Sequence, residues 1–238
     1  MSTGQIDAIA TSEARGLSKR SKRRDWIEIA AGYLLIMAVV WTPRPWQRFL
    51  WVAAAVAIVA MMWAGFDGWK AMGLRTANFW RSLWIVGAAL VLSGAAILVA
   101  AKIHTLQLPA GPLAFVETYC AYAIWTGVQQ FLLQGFFLLR FLRVTSKPWI
   151  AALIAAALFA TAHLPNTVLT PATLIWGLAA CLLFLRYRNL YPLMLAHAIL
   201  GISVAMTVPG PVVHNMRVGL GYLTYRPHMH GHRMHRLP

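Results

Sequence analysis

Val128-Gln129-Gln130-Phe131-Leu132-Leu133-Gln134-Gly135-Phe136-Phe137 is an apolar stretch broken only by three amides, and it lies within a longer run, 113 to 140, whose sole carboxylate is Glu117. A run of that length exceeds the roughly 20 apolar residues needed to cross a bilayer core about 30 Å thick. Comparable runs recur on both sides, at about 27 to 42, 48 to 66, 82 to 101, 149 to 163, 168 to 185 and 190 to 208. The pattern predicts an all-α, polytopic transmembrane bundle of seven or eight spans. The fifth and sixth runs are short, as expected of tilted helices or of a re-entrant pair sheltered by its neighbours.

Composition agrees. Of 238 residues, 60% are hydrophobic and only 11% charged, against about a quarter charged in soluble domains. The net charge of +15 does not point to nucleic acid, because the basic residues sit in short segments between apolar runs. With the N-terminus in the cytoplasm, fourteen basic residues fall in the inside segments and three, Arg44, Arg48 and Lys102, in the outside loops, the asymmetry of the positive-inside rule; Arg217, Arg226, Arg233 and Arg236 of the final segment break the pattern if the span count is seven. The expected partners at the inner face are membrane lipids, including anionic headgroups, near Arg140, Arg143 and Lys147.

Three regions follow. Residues 1–24 form a basic cytoplasmic arm too polar to fold alone, and 25–208 form the multi-span membrane domain. Residues 209–238 form a basic tail, external if the span count is seven, or preceded by an eighth crossing. Within that tail Asn215 to Tyr222 reads as a glycine-rich surface loop. His228, His230, His232 and His235 form a short tract of the kind that captures metals adventitiously, with no closed geometry. Cys120 and Cys181 lie in apolar runs and imply neither a disulfide nor a zinc site. Trp26, Trp46, Trp80, Trp149 and Tyr191 fall near span ends, where aromatic belts form.

Polar groups at membrane depth carry the functional signal, since each must find a partner or face a cavity. Gln130 and Gln134 are four apart and share a helix face, as do Phe159 and His163, and as do His197 and Gly201. Read without further context, these residues are either interhelical hydrogen-bonding glue or the lining of one buried site. No chain of intramembrane charges or pair of broken helices suggests a transporter.

In order and spacing, Val128 to Phe137, Phe159-Ala-Thr-Ala-His163 and Leu195-Ala-His197-Ala-Ile-Leu-Gly201 resemble the three motifs of the CAAX protease and bacteriocin-processing (CPBP) family, which includes the type II CAAX prenyl endopeptidases. The usual motifs there are Glu-Glu-x-x-x-Arg, Phe-x-x-x-His and His-x-x-x-Asn/Asp. The turn Gly73-Leu74-Arg75 is similar to a further family feature, and the resemblance spans about 70 to 205. It implies an intramembrane endopeptidase, in a bacterial inner membrane, acting on a membrane-associated peptide or protein. By motif position the catalytic residues are His163, His197, Gln130 and Gln129, and the pocket residues are Gln134, Phe159 and Gly201.

The match is partial. Gln129 and Gln130 stand where the family has glutamates, Gln134 where it has arginine, and Gly201 where it has Asn or Asp. In the implied mechanism a glutamate and a histidine activate water while the third motif stabilises the oxyanion. A glutamine amide cannot take a proton as a general base does, and Gly201 offers no side-chain donor. Glu117 lies thirteen residues before Gln130, about 20 Å along a helix, and is expected to pair near the membrane surface instead. The histidines themselves can serve as base and electrophile near neutral pH. A metal is not favoured, since two histidines with amide neighbours make a poor zinc site, and no cofactor is expected. The alternative is a catalytically inactive pseudoprotease that binds a membrane peptide or partner.

Overall fold

The computed structural model describes residues 21–226 and is helical throughout, with no strand among the described residues. Most of the basic arm and the histidine tract at 228–235 lie outside them. Helix α1 spans Lys22–Trp41, α2 Trp46–Ala64, α3 Phe79–Ser82, α4 Trp84–Lys102 and α5 Pro112–Phe131. A π-helical segment, Leu132–Leu138, joins α5 to α6, Leu139–Val144. Helices α7 (Pro148–Thr161), α8 (Leu169–Tyr187) and α9 (Tyr191–Thr207) follow, then two short turns, α10 (Gly210–Val213) and α11 (Gly219–Leu223). The starts are written in the sequence: Pro112, Pro148 and Pro192 stand at the first turns of α5, α7 and α9, where the missing N–H has no intrahelical partner to lose.

From Pro112 to Val144 the chain is one unbroken helical rod of about 50 Å at 1.5 Å per residue. Its second half is the core. Leu133, Phe136, Leu138, Leu139 and Phe141 are all but sealed from the surface, with α1, α7 and α8 packed around them. Helices α7 and α8 form an antiparallel hairpin along a stripe of Ala151, Ala152, Ala155 and Ala156. Gly177 lets the backbones close: a Cβ there would lie 3.1 Å from Phe159 and 3.4 Å from the Ala156 Cα. Small residues at such contacts are how helices associate where no hydrophobic force separates chain from lipid. On the other side α9 packs against α4 and α5.

The outward faces are apolar. Trp46, Phe49, Val56, Val59 and Trp63 on α2 and Val91, Leu92 and Leu98 on α4 are all largely exposed. So extensive an apolar surface, on helices long enough to cross a bilayer (α2, α3–α4 and α8), is what a membrane fold presents to lipid. Trp26, Trp46, Trp80, Trp149 and Tyr191 are likewise exposed.

Two readings of the sequence are corrected here. Arg140 and Arg143 do not reach for headgroups. Arg140 is 1% exposed and pairs with Glu28 at 2.7 Å, while Arg143 pairs with Asp25 at 2.7 Å and Asp67 at 2.6 Å. Arg24 completes the cluster by holding Glu28 at 2.8 Å. Three guanidinium groups and three carboxylates thus clasp α1, the end of α2 and α6 together. Burial disfavours the charge on Arg143, but its hydrogen bonds to Asp25 and Asp67 outweigh that and hold its pKa above the usual range. Of the three residues, Lys147 alone stays exposed.

The second correction concerns residues 215–222, which are a packed strap rather than a free surface loop. Asn166 donates to the Val213 carbonyl at 2.9 Å and the Arg217 carbonyl at 3.0 Å. The Gly219 N–H donates to the Leu164 carbonyl at 2.7 Å. Gly219 has φ +54 and sits so close to Val40 that any side chain would strike it, so only glycine serves there. The helices within 209–226 are four and five residues long, too short to cross a membrane.

Candidate active site

The motif residues converge where α5, α7, α8 and α9 meet. His197, on the second turn of α9, faces Gln130 on α5: Gln130 Nε2 lies 3.1 Å from His197 Nδ1. Gln130 donates to Nδ1 with its amide nitrogen toward the ring and accepts from it with the amide turned, and the Thr126 carbonyl is a further acceptor for the ring N–H. His163 follows the end of α7, and its Nδ1 lies 2.7 Å from the Phe159 carbonyl. A carbonyl can only accept, so Nδ1 carries the proton and Nε2 keeps its lone pair. The Phe159 ring sits between the two histidines, with centroids 4.8 Å from His163 and 5.8 Å from His197. Trp176 of α8 covers His197 at 6.0 Å.

A cavity of about 700 Å³ opens beside the pair, lined among others by Tyr122, Gln129, His163, Trp176, His197 and Gly201. A second, of about 150 Å³, lies toward α1, lined by Tyr33, Leu132, Phe137 and Phe159. Trp125, Gln129, His163 and Val218 border both. Both walls are mainly apolar, which suits a hydrophobic ligand held by few polar contacts.

Each candidate residue therefore has a definite place. Gln129, His163, His197 and Gly201 line the larger cavity, and Gln129, Phe159 and His163 line the smaller. Gln130 stands behind His197 rather than on the cavity wall, wholly buried, with its Oε1 unpartnered among the described residues. Gln134 lines neither cavity. It is wholly buried inside the π-helical segment, and neither amide atom has a partner among the described residues.

Glu117 is exposed and the other described carboxylates, Asp25, Glu28 and Asp67, are in the clasp, so no described carboxylate reaches the histidines. No group of three or more metal-binding side chains occurs among the described residues.

Two residues of the site were not picked out from the sequence. Asn166, three residues after His163, accepts the Leu169 N–H at 2.9 Å and so caps α8 while tying the strap. Its signal was the Asn before an apolar run, hidden behind the His163 motif. Tyr122 is an isolated polar residue on α5, and nothing local distinguishes it from the interfacial aromatics.

The turn at Gly73 supports the site from below. Gly73 has φ +83 and its carbonyl accepts the Leu190 N–H at 3.0 Å. Arg75 donates to the Arg188 carbonyl at 2.8 Å, and Asn189 returns bonds to the Arg75 and Ala77 carbonyls. The turn thereby fixes the α8–α9 connection and the entry of α9, which carries His197.

Fold and site define a polytopic helical membrane protein with a buried histidine pair beneath an apolar cavity. Residues 112–202, which contain all three motifs, match the model of the Rce1-like family of type II CAAX prenyl endopeptidases. Neither a curated protein nor a solved structure matches the chain.

Proposed function

We propose that the protein is an intramembrane endopeptidase of altered site, which takes a membrane-associated peptide or protein into the larger cavity and cuts it with histidines alone. The observation that carries this reading is the His163 geometry. Its Nδ1 is committed to the Phe159 carbonyl, which leaves the Nε2 lone pair at the border of both cavities. In this scheme Nε2 takes a proton from water as the water oxygen bonds to the peptide carbonyl carbon. His197 donates its ring N–H to the resulting oxyanion, held in orientation by Gln130. Collapse breaks the C–N bond, and His163 returns the proton to the leaving amine. The scheme forgoes a carboxylate base, so turnover is expected to be slow relative to a Glu-bearing site.

The absence of any described carboxylate near the pair favours a second reading, a pseudoprotease that binds the same class of peptide and releases it intact. In both, the N-terminus lies in the cytoplasm, as the distribution of basic residues supports, and the membrane is a bacterial inner membrane, as the family resemblance implies. Anionic lipid contacts then fall to the arm and to exposed residues such as Lys147.

Comparing protein termini across the membrane proteome of cells expressing wild type, His163→Ala or the Gln129→Glu/Gln130→Glu double variant separates the two. Termini present in wild type and lost in His163→Ala are expected. If wild type and His163→Ala match, whether or not the double variant cuts, histidine-driven proteolysis is wrong and the binding reading stands.

A further inference from the structure

Gly201 has no side chain because Tyr122 fills the space. A Cβ at 201 would collide with the Tyr122 hydroxyl and lie 2.9 Å from its Cζ and 3.0 Å from its Cε1. Gly201 is one turn after His197 on α9, and Tyr122 lies on α5 along the face that carries Thr126, Gln129 and Gln130. The phenol therefore comes from the opposite helix to stand over the same wall of the cavity, in the company of His163 and His197. Its hydroxyl has no hydrogen-bond partner among the described residues. A phenol O–H left open in a largely apolar wall at membrane depth is costly unless water or a ligand takes it. Tyr122 and Gly201 are thus a matched pair: the missing side chain on α9 is what brings a neutral donor to the cavity beside His197.

We infer that the Tyr122 hydroxyl is a ligand-contacting donor, which hydrogen-bonds a backbone carbonyl oxygen of a peptide lying in the larger cavity. A neutral phenol suits a neutral carbonyl, and the rest of the wall suits apolar side chains. The inference rests on the cavity being a peptide site, as in the proposed function, but not on hydrolysis.

The test uses the full-length protein in liposomes and N-acetyl-trileucine amide with one 13C carbonyl. Binding is followed by equilibrium dialysis and the carbonyl band by isotope-edited infrared spectroscopy. Wild type is expected to bind the probe and to shift the 13C carbonyl band to lower frequency than it has in Tyr122→Phe. Affinity should fall about five- to tenfold in Tyr122→Phe, the worth of one net hydrogen bond. Tyr119→Phe, which removes a phenol outside both cavities, should behave as wild type. Gly201→Ala, which displaces the phenol without removing its oxygen, should show the Tyr122→Phe behaviour and guards against a folding defect specific to one variant.

Equal affinity and an unshifted band in Tyr122→Phe would overturn the assignment, as would failure of wild type to bind the probe. Loss of the proteolysis reading shows separately, in the termini comparison, with probe binding intact.

Discussion

A histidine is informative only when something fixes which nitrogen carries its proton. His163 and His197 were legible from spacing, because Phe159-x-x-x-His163 and His197-x-x-x-Gly201 each place two residues on one helix face. What the spacing did not show is how each ring is held: by the Phe159 carbonyl at 2.7 Å in one case and by Gln130 at 3.1 Å in the other. Nor did spacing separate three similar amides. Gln129 reaches the cavities, Gln130 braces a histidine, and Gln134 is sealed in the core with both amide atoms unpartnered. An orphaned buried amide costs on the order of 1–3 kcal/mol. Gln134→Met, similar in volume and apolar, is therefore expected to raise unfolding stability by about 1–3 kcal/mol. Thermal or denaturant unfolding in detergent checks this, and a loss of stability would mean that Gln134 has a partner such as buried water.

At the level of elements the hydropathic runs and the helices coincide closely, because lipid-facing helices need to be apolar along their whole length. Two elements escaped. The π-helical segment 132–138 leaves no mark in a pattern apolar on every side, where a change of helical period moves no polar residue to the wrong face. The strap after α9 read as loop because its glycines and basic residues are typical of surface. Gly219, however, is there for its φ of +54 and its approach to Val40. Asn166 is the fastening, with two bonds to strap carbonyls and a cap on α8. Asn166→Ala is expected to cost about 1–3 kcal/mol through loss of the cap and of the donors to two carbonyls. Limited proteolysis should then cut within 209–226 in the variant well before wild type; identical cleavage rates would show that the strap is held elsewhere.

For the whole molecule the decisive feature is the charge clasp, and the sequence carried a hint of it. Asp25 and Glu28 stand three apart at the mouth of the first apolar run, an odd place for carboxylates unless cations answer them. The positive-inside rule assigned Arg140 and Arg143 to the membrane surface, whereas both turn inward to the carboxylates. Removing one partner of a buried pair and stranding the other costs about 3–5 kcal/mol, whereas replacing both with apolar groups is often nearly neutral. Arg140→Leu leaves Glu28 with only the half-exposed Arg24 and should therefore destabilise more than the Arg140→Leu/Glu28→Leu double variant. A double-mutant cycle on detergent melting curves reads the difference, and additive effects would mean that the two side chains are not coupled.

The clasp also has a bearing on how the chain is made. Glu28 leaves the ribosome more than a hundred residues before Arg140, and Asp25 more than a hundred before Arg143. Until then Asp25 lacks the cation that answers it and Glu28 has only Arg24, charges that lipid accepts poorly, so α1 is made early and settles late. Its final docking waits for α6, so that contact is closed only after five further helices have been made.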